Sequence, residues 1–278
     1  MAGKTIWNII PLSIMAVACL PEARMVEQLE GVLPADGLTT LDIVVGPGDL
    51  RVEGVEGLEE IRVEVRIYTQ LADCDSDAEI LDSMDYELYA SDDGQARLWV
   101  DMDDEWMSYW ADVTVQAPAG MALEIRDGMG DIDVRDFASL TLDDENGDVD
   151  IEFIAGDVTI EDGTGDLTLL HVGGAVSIND GNGDLDIRDV AGPLELFDGT
   201  GDTWIEDVRA DVLVEDGSGD LDLRLIDGDV IIDDGTGDID VRDVRGRVTI
   251  HDGSGDIHAE NVGDLEVIED GSGDIDWD

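Results

Sequence analysis

Apolar and polar residues alternate through the second half of the chain in a pattern that repeats every 18 residues. Gly-Asp pairs begin at Gly130 and Gly147 and then recur every 18 residues as far as Gly273, which gives nine copies. We number each copy from the first aspartate of its Asp-Gly-x-Gly-Asp phrase. Columns 6, 8, 11, 15 and 17 are then mostly apolar and rich in branched side chains. Short alternating runs of this kind predict β-strands with one buried face.

One copy is too short to bury its own apolar residues. Copies stacked about 4.8 Å apart would form continuous parallel sheets around a shared core. We therefore predict an all-β fold, a single-stranded parallel β-solenoid (β-helix) with about 18 residues per rung and an irregular N-terminal β cap. The left-handed hexapeptide helix does not fit, because the column six places before an apolar one is aspartate. The prediction requires Leu185, Leu221 and Ile239 to stand in one vertical file.

Four segments are predicted along the chain. Residues 1–18 form a signal peptide, and residues 19–37 form a tether that follows a lipobox cysteine. Residues 38–126 form an N-terminal β region with the first rungs and the cap, in which IRVEVRIYTQ and QARLWVDM are predicted strands separated by an acidic insertion. Residues 127–278 hold the nine-copy solenoid.

The first residues predict export. Lys4 precedes an uncharged apolar run over residues 6–20, which is too short and too interrupted by proline for a membrane span. The phrase MAVAC, which ends at Cys19, resembles the lipobox of bacterial lipoproteins, whose cysteine is lipidated. The alternative is simple signal cleavage near Ala18. Lipidation of Cys19 would anchor the chain to a membrane, and the resemblance to lipoproteins implies, from Leu20 in the next position, sorting to the outer membrane.

The charge of the chain is extreme. It has 71 acidic and 14 basic residues, a formal net charge of -57 at pH 7. This excludes nucleic acid as a partner and argues against adsorption to anionic lipid. Lys4 is the only lysine, and the balance favours halophilic adaptation, because salt at about 1 M screens charges beyond ~3 Å. Ordinary surface acidity is the alternative. With Cys19 lipidated, Cys74 has no partner for a disulfide.

Columns 1 and 5 would stack aspartates about 5 Å apart, where two charges repel by about 1 kcal/mol in water. Turn hydrogen bonds, salt, outward arginines or bound cations must offset this repulsion. In a structural interpretation, glycine permits the turn and the carboxylates accept backbone N–H groups. The alternative is calcium, the one cofactor considered, because hard cations bind carboxylate oxygens. Its candidate ligands are Asp162, Asp166, Asp180, Asp184, Asp198, Asp202, Asp216, Asp220, Asp234, Asp238, Asp252 and Asp256.

No catalytic residues are predicted. His171, His251 and His258 fall in different columns, so a histidine-centred triad is not expected. A polysaccharide-acting β-helix enzyme remains as an alternative. It is less favoured because polysaccharide lyases with a β-helix use basic residues, and this chain has only 14. Exposed tryptophans could stack on sugars or anchor a protein partner, whereas buried ones would pack as the cap. The candidate ligand contacts are Trp99, Trp106 and Trp110.

Residues 38–278 resemble a family of bacterial cell-envelope proteins, the putative adhesin domain, which is a domain of unknown function. The resemblance is carried by a degenerate first phrase at Gly48-Asp49, by the strand VTVQAP that ends at Pro118, and by the GDI-type copies. The regular DGxGD departs from the family, which often has serine first. The resemblance implies an envelope β-solenoid without catalytic residues. We therefore expect a non-enzymatic, exported lipoprotein that displays an acidic solenoid for structural or adhesive contact with a protein or glycan.

Overall fold

The computed structural model describes residues 8–9, 23–70, 84–102 and 109–277. These residues are 70% strand and contain no helix, and stacked parallel bridges make a β-solenoid of about nine turns with about 18 residues per rung. The predicted fold class is confirmed. The strands are β1 (Asn8–Ile9), β2 (Arg24–Pro34), β3 (Thr40–Val45), β4 (Leu50–Val55), β5 (Glu60–Thr69), β6 (Met84–Ala90), β7 (Gln95–Met102), β8 (Tyr109–Pro118), β9 (Ala122–Asp127), β10 (Ile132–Phe137), β11 (Ser139–Asp144), β12 (Val149–Ile154), β13 (Val158–Thr164), β14 (Leu167–Val172), β15 (Val176–Asn182), β16 (Leu185–Val190), β17 (Leu194–Asp198), β18 (Thr203–Val208), β19 (Val212–Asp216), β20 (Leu221–Ile226), β21 (Val230–Asp234), β22 (Ile239–Asp252), β23 (Ile257–Asp270) and β24 (Ile275–Trp277).

The chain forms two compact units, Met1–Ala138 and Ser139–Asp278. In the second unit, β12, β14, β16, β18 and β20 stack in parallel as a first sheet. The strands β11, β13, β15, β17, β19 and β21 stack in parallel as a second sheet. The long strands β22 and β23 take part in both.

The vertical file required by the sequence pattern is present. Leu185 pairs with Thr203, Thr203 with Leu221, and Leu221 with Ile239, each partner lying 18 residues further along. The inward apolar side chains of the second unit, from Leu140 to Ala259, are only 0–2% exposed. Apolar burial on this scale is the main force that favours the stacked rungs.

Column 10 has a left-handed backbone conformation in every rung of the second unit. Its seven residues from Phe153 to Asn261 have φ between 54° and 61° although none is glycine. The reversal breaks the alternation of the strand, so column 11 turns inward as well, and Val172 and Val190 are buried. Column 10 is also skipped in the register of β14 with β16.

The first unit combines solenoid rungs with antiparallel strands. Strand β3 pairs in parallel with β7 and β9, and β4 pairs in parallel with β8 and β10. Strand β5 runs antiparallel to β8, β2 runs antiparallel to β5, and β6 runs antiparallel to β7. Among the described residues, no helix is long and apolar enough to cross a membrane.

Two segments differ from the sequence prediction. The tether expected over residues 19–37 contains β2, an 11-residue strand in which Leu29 and Leu33 are 1% and 5% exposed. The acidic insertion contains β6, whose Met84 and Leu88 are buried. In both segments a few alternating apolar residues are enough for pairing with a neighbouring strand, despite the surrounding charges.

The glycines of the repeated phrase are required by the close packing of successive turns. A Cβ atom on Gly183, whose φ is +159°, would lie 1.6 Å from the backbone oxygen of Gly165 in the preceding rung. A Cβ on Gly181 would lie 2.4 Å from the backbone oxygen of Gly163. Any larger residue would push the rungs apart at this corner.

Candidate functional site: the aspartate columns and the outer surface

Column 5 forms an exposed row of carboxylates, which we call the outer column. One oxygen of each member except the last accepts the backbone N–H of the next member at 2.9–3.0 Å. The carboxylate on one rung therefore replaces a strand partner for the following rung, which is a structural role. The members in the second unit are Asp148, Asp166, Asp184, Asp202, Asp220, Asp238, Asp256 and Asp274.

Column 1 forms a second row, which we call the inner column, and it lies inside the solenoid. Successive members are paired in register across the second sheet. Each is only 2–7% exposed, because column 1 comes two residues after the inward column 17 and so points to the same side of the strand. The members in the second unit are Asp144, Asp162, Asp180, Asp198, Asp216, Asp234 and Asp252.

Most inner-column carboxylates lack a full set of hydrogen-bond donors. Neither oxygen of Asp144, Asp162 or Asp180 has a donor in hydrogen-bonding geometry, and Asp216 and Asp234 each keep one buried oxygen without a donor. The other oxygens of the last two accept backbone N–H groups at 3.2 and 3.1 Å. Burying a polar group without a hydrogen-bond partner costs free energy, so another interaction must stabilise these carboxyl groups.

Burial raises the pKa of the six inner-column carboxyl groups from Asp144 to Asp234. The pKa of Asp180 and Asp216 rises to about 7 because they are buried and because a carboxylate lies on either side of each. Burial raises the pKa of Asp144, Asp162 and Asp234 to about 6. Backbone N–H groups of the following turn oppose part of this rise: one is hydrogen-bonded to Asp234, and those near Asp144 and Asp162 lie outside hydrogen-bonding geometry. Burial and the neighbouring carboxylates therefore both favour the protonated form of these groups.

Asp198 has a side-chain donor that its neighbours lack. Column 6 is aliphatic in the other rungs of the second unit, but here it contains Thr203. The hydroxyl of Thr203, which is 2% exposed, donates to Oδ2 of Asp198 at 3.1 Å. Burial raises the pKa of Asp198, and the Thr203 hydroxyl opposes that rise.

The predicted calcium ligands are divided between the two columns. Asp162 and Asp180 lie inside, whereas Asp166 and Asp184 are exposed and bonded to backbone N–H groups. In the part of the chain that the structure describes, no three His, Cys, Asp or Glu side chains are grouped so as to hold a metal ion. The candidate calcium ligands thus form one buried and one exposed column.

The outward arginines neutralise other carboxylates. Arg188 and Arg224 pair with Asp186 and Asp222, two residues earlier on the same strands, at 2.6 and 2.5 Å. Both guanidinium groups also flank Trp204, at 5.9 and 3.8 Å from the ring centre. These arginines therefore stabilise the outer face of the first sheet through ion pairs and cation–π contacts.

A surface depression of about 660 Å³ lies along columns 10–12 of the last rungs, and we call it the corner groove. Leu225, 48% exposed, lies among charged side chains there. Arg209 bonds Asp189 at 2.5 Å, and Arg245 bonds Asp227. The groove is lined by Asp207, Arg209, Leu225, Asp227, Asp243, Val244, Arg245, Asn261, Val262 and Gly263.

The three histidines share no site. His171 stacks on Phe153 with ring centres 4.7 Å apart, and its Nδ1 lies 2.7 Å from an oxygen of Asp189. His258 lies on the first sheet, opposite Asp240 in the strand register. His251 lies on the second sheet, opposite Asp233. The histidines thus lie on different faces, as their columns predicted.

Trp99 and Trp110 are the candidate tryptophans among the described residues, and they lie on different strands. Trp99 is 37% exposed on β7, which pairs with β3 and β6. Trp110 is on β8, which pairs with β4 and β5, and it stacks on Tyr68 with ring centres 5.5 Å apart. The two rings therefore belong to different strand stacks. Trp106 and the two cysteines, Cys19 and Cys74, lie outside the described residues.

Comparison with known proteins finds no matching family model and no matching curated protein. Among solved structures, a "putative adhesin" from Bacteroides fragilis has 14% identity and a TM-score of 0.38, over 90% of this chain and 95% of that one. A "putative lipid binding protein" from Parabacteroides distasonis has 14% identity and a TM-score of 0.39, over 92% and 96%. A "putative cell adhesion protein" from Clostridium sporogenes has 12% identity and a TM-score of 0.28, over 78% and 99%.

Proposed function

We propose that the chain is a non-enzymatic cell-envelope lipoprotein that makes adhesive contacts through the outer surface of its solenoid. The observation that carries this proposal is the closed interior of the second unit. Its inward apolar side chains are 0–2% exposed from Leu140 to Ala259, so solvent does not reach the space between the sheets. Recognition by this unit must therefore use its outer face.

The corner groove is the contact site that best fits this role. It is concave, it offers one exposed apolar side chain, Leu225, and it surrounds that side chain with paired carboxylates and guanidinium groups. Convergent polar groups around an apolar centre are typical of ligand sites. Sugar polymers present apolar ring faces and hydroxyl groups, so a glycan is the class of partner that matches this surface.

A glycan array probed with the full chain tests the proposed site. We expect Leu225→Asp combined with Arg245→Ala to weaken glycan binding by about tenfold or more, because both groove contacts are lost. The matched control is Ile231→Asp, which changes an equally exposed apolar residue, 50% exposed, on the second sheet. Binding that survives the groove substitutions, or release of reducing ends from a bound polysaccharide, would contradict the proposal.

The anchoring part of the proposal rests on the MAVAC phrase and is tested separately. Mass spectrometry of the mature N-terminal peptide should find Cys19 acylated, and Cys19→Ser should release the chain into the soluble fraction. An unmodified N-terminus would remove the lipoprotein assignment and leave the glycan test unaffected.

A further inference from the structure

We propose that the inner column is a proton-binding site, in which successive buried aspartates share protons in pairs, so that stability of the second unit responds to pH. This property is independent of the proposed adhesive function. It follows from the placement of seven carboxyl groups in one buried, in-register row.

Two ionised carboxylates cannot satisfy each other, since both only accept hydrogen bonds. One proton from solvent changes this, because the protonated group becomes a donor and forms a short, charge-assisted bond to its neighbour. The geometry places the partners side by side: Asp180 is opposite Asp198, and Asp216 is opposite Asp234, on adjacent strands of the second sheet. The oxygens of Asp180 that have no donor are thus the ones that a shared proton would satisfy.

Thr203 fixes the position of the proton that Asp180 and Asp198 share. Its hydroxyl already donates to Asp198, which favours the ionised form of that carboxyl group. The shared proton therefore stays on Asp180, which donates it to Asp198. The single hydroxyl in the otherwise aliphatic column 6 of the second unit thus binds Asp198 and decides which carboxyl group of the pair carries the proton.

Protons fit this column better than metal ions do. Calcium takes six to eight oxygen ligands, whereas a point between two rungs offers two carboxylates. The main-chain oxygens of Asp180 and Asp198 are already used, since they accept N–H groups from the next rung at 3.1 and 3.0 Å.

The charges that act on the column come from further carboxylates, and they oppose ionisation. Asp143 acts on Asp144 and Asp148 acts on Asp162, and the column members act on one another. Each of these neighbours is itself negative when ionised. A proton is therefore favoured by burial and by every charged neighbour named here.

The test is the melting temperature of the full chain from about pH 5 to about pH 8, in about 1 M salt to screen the exposed charges. Because the folded carboxyl groups have raised pKa values, the folded state binds more protons than the unfolded state in this window, and stability is lost as pH rises. We expect the melting temperature to fall by at least about 10 °C. We also expect the infrared carbonyl band of protonated carboxylic acid in the folded chain at neutral pH.

Matched variants separate the pH dependence caused by the inner column from that caused by the acidic surface as a whole. Asp180→Asn with Asp216→Asn keeps a neutral donor at each position, so it should remove about half of the pH-dependent fall. The control, Asp184→Asn with Asp220→Asn in the outer column of the same rungs, should leave the fall unchanged. A variant that does not fold leaves the infrared band and the pH profile of the original chain as the deciding measurements.

Three results would overturn the proposal. The first is a melting temperature that is constant or rises with pH. The second is the absence of the protonated carboxyl band near neutral pH. The third is a calcium-specific rise in melting temperature at about pH 8 that a chelator reverses at matched ionic strength, because metal would then occupy the column in place of protons.

Discussion

Replacing Asp202 in the outer column separates the hydrogen bond of its carboxylate from the repulsion of its charge. Its carboxylate accepts the N–H of Asp220 at 3.0 Å, and its own N–H donates to Asp184 at 2.9 Å. The two flanking charges, about 5 Å away, each repel it by about 1 kcal/mol in water. Asp202→Asn relieves up to about 2 kcal/mol of repulsion and weakens one charge-assisted bond by about 1 kcal/mol.

We therefore expect Asp202→Asn to stabilise the chain by about 1 kcal/mol at low salt and to destabilise it slightly at about 1 M salt, where the repulsion is screened. Asp202→Ala loses the acceptor altogether, so it should be about 1 kcal/mol less stable than the asparagine variant at both salt concentrations. Urea unfolding followed by circular dichroism measures both differences. Equal effects of asparagine and alanine, or a stabilisation by asparagine that does not depend on salt, would refute this account of the outer column.

Three further substitutions test the packing, each by urea unfolding. Leu169→Ala should cost about 2–5 kcal/mol because Leu169 is 0% exposed, whereas Leu170→Ala, next to it on the outer face, should cost less than about 1 kcal/mol; equal costs would contradict the assigned faces. Gly183→Ala should cost more than about 3 kcal/mol because its Cβ would lie 1.6 Å from a backbone oxygen, while Gly120→Ala, with nothing within 4 Å, should be nearly neutral. Asp42→Asn should cost about 1–3 kcal/mol because the buried carboxylate, 3% exposed, binds two arginines at 2.8 and 3.1 Å; an unchanged stability would show that these ion pairs contribute nothing.

The periodicity of the sequence was sufficient to predict the stacked rungs and the vertical file through Leu185 and Leu221. It also contained the signal for the inner column. Columns 15, 17 and 1 are spaced by two, so strict alternation turns Asp180 inward together with Val176 and Ile178. The turn interpretation obscured this signal, because aspartate is rarely fully buried and is common beside glycine.

Other features could not be predicted from local sequence. Column 10 holds Phe153, His171, Asp189 and Leu225 in the same left-handed conformation. These residues have no common preference for it, so the closure of each rung imposes it. Strand β2 likewise depends on its long-range partner β5. The corner groove also depends on the way in which successive rungs align, which no single copy encodes.

Pairing between residues 18 apart also sets the step by which such a chain can change length during evolution. Loss of one entire copy would join Leu185 to Leu221 as readily as to its present neighbour Thr203, since every copy presents the same pattern of faces. An insertion of one residue within a strand would instead exchange its buried and exposed side chains. Growth by whole duplications is therefore the route that leaves the interior intact.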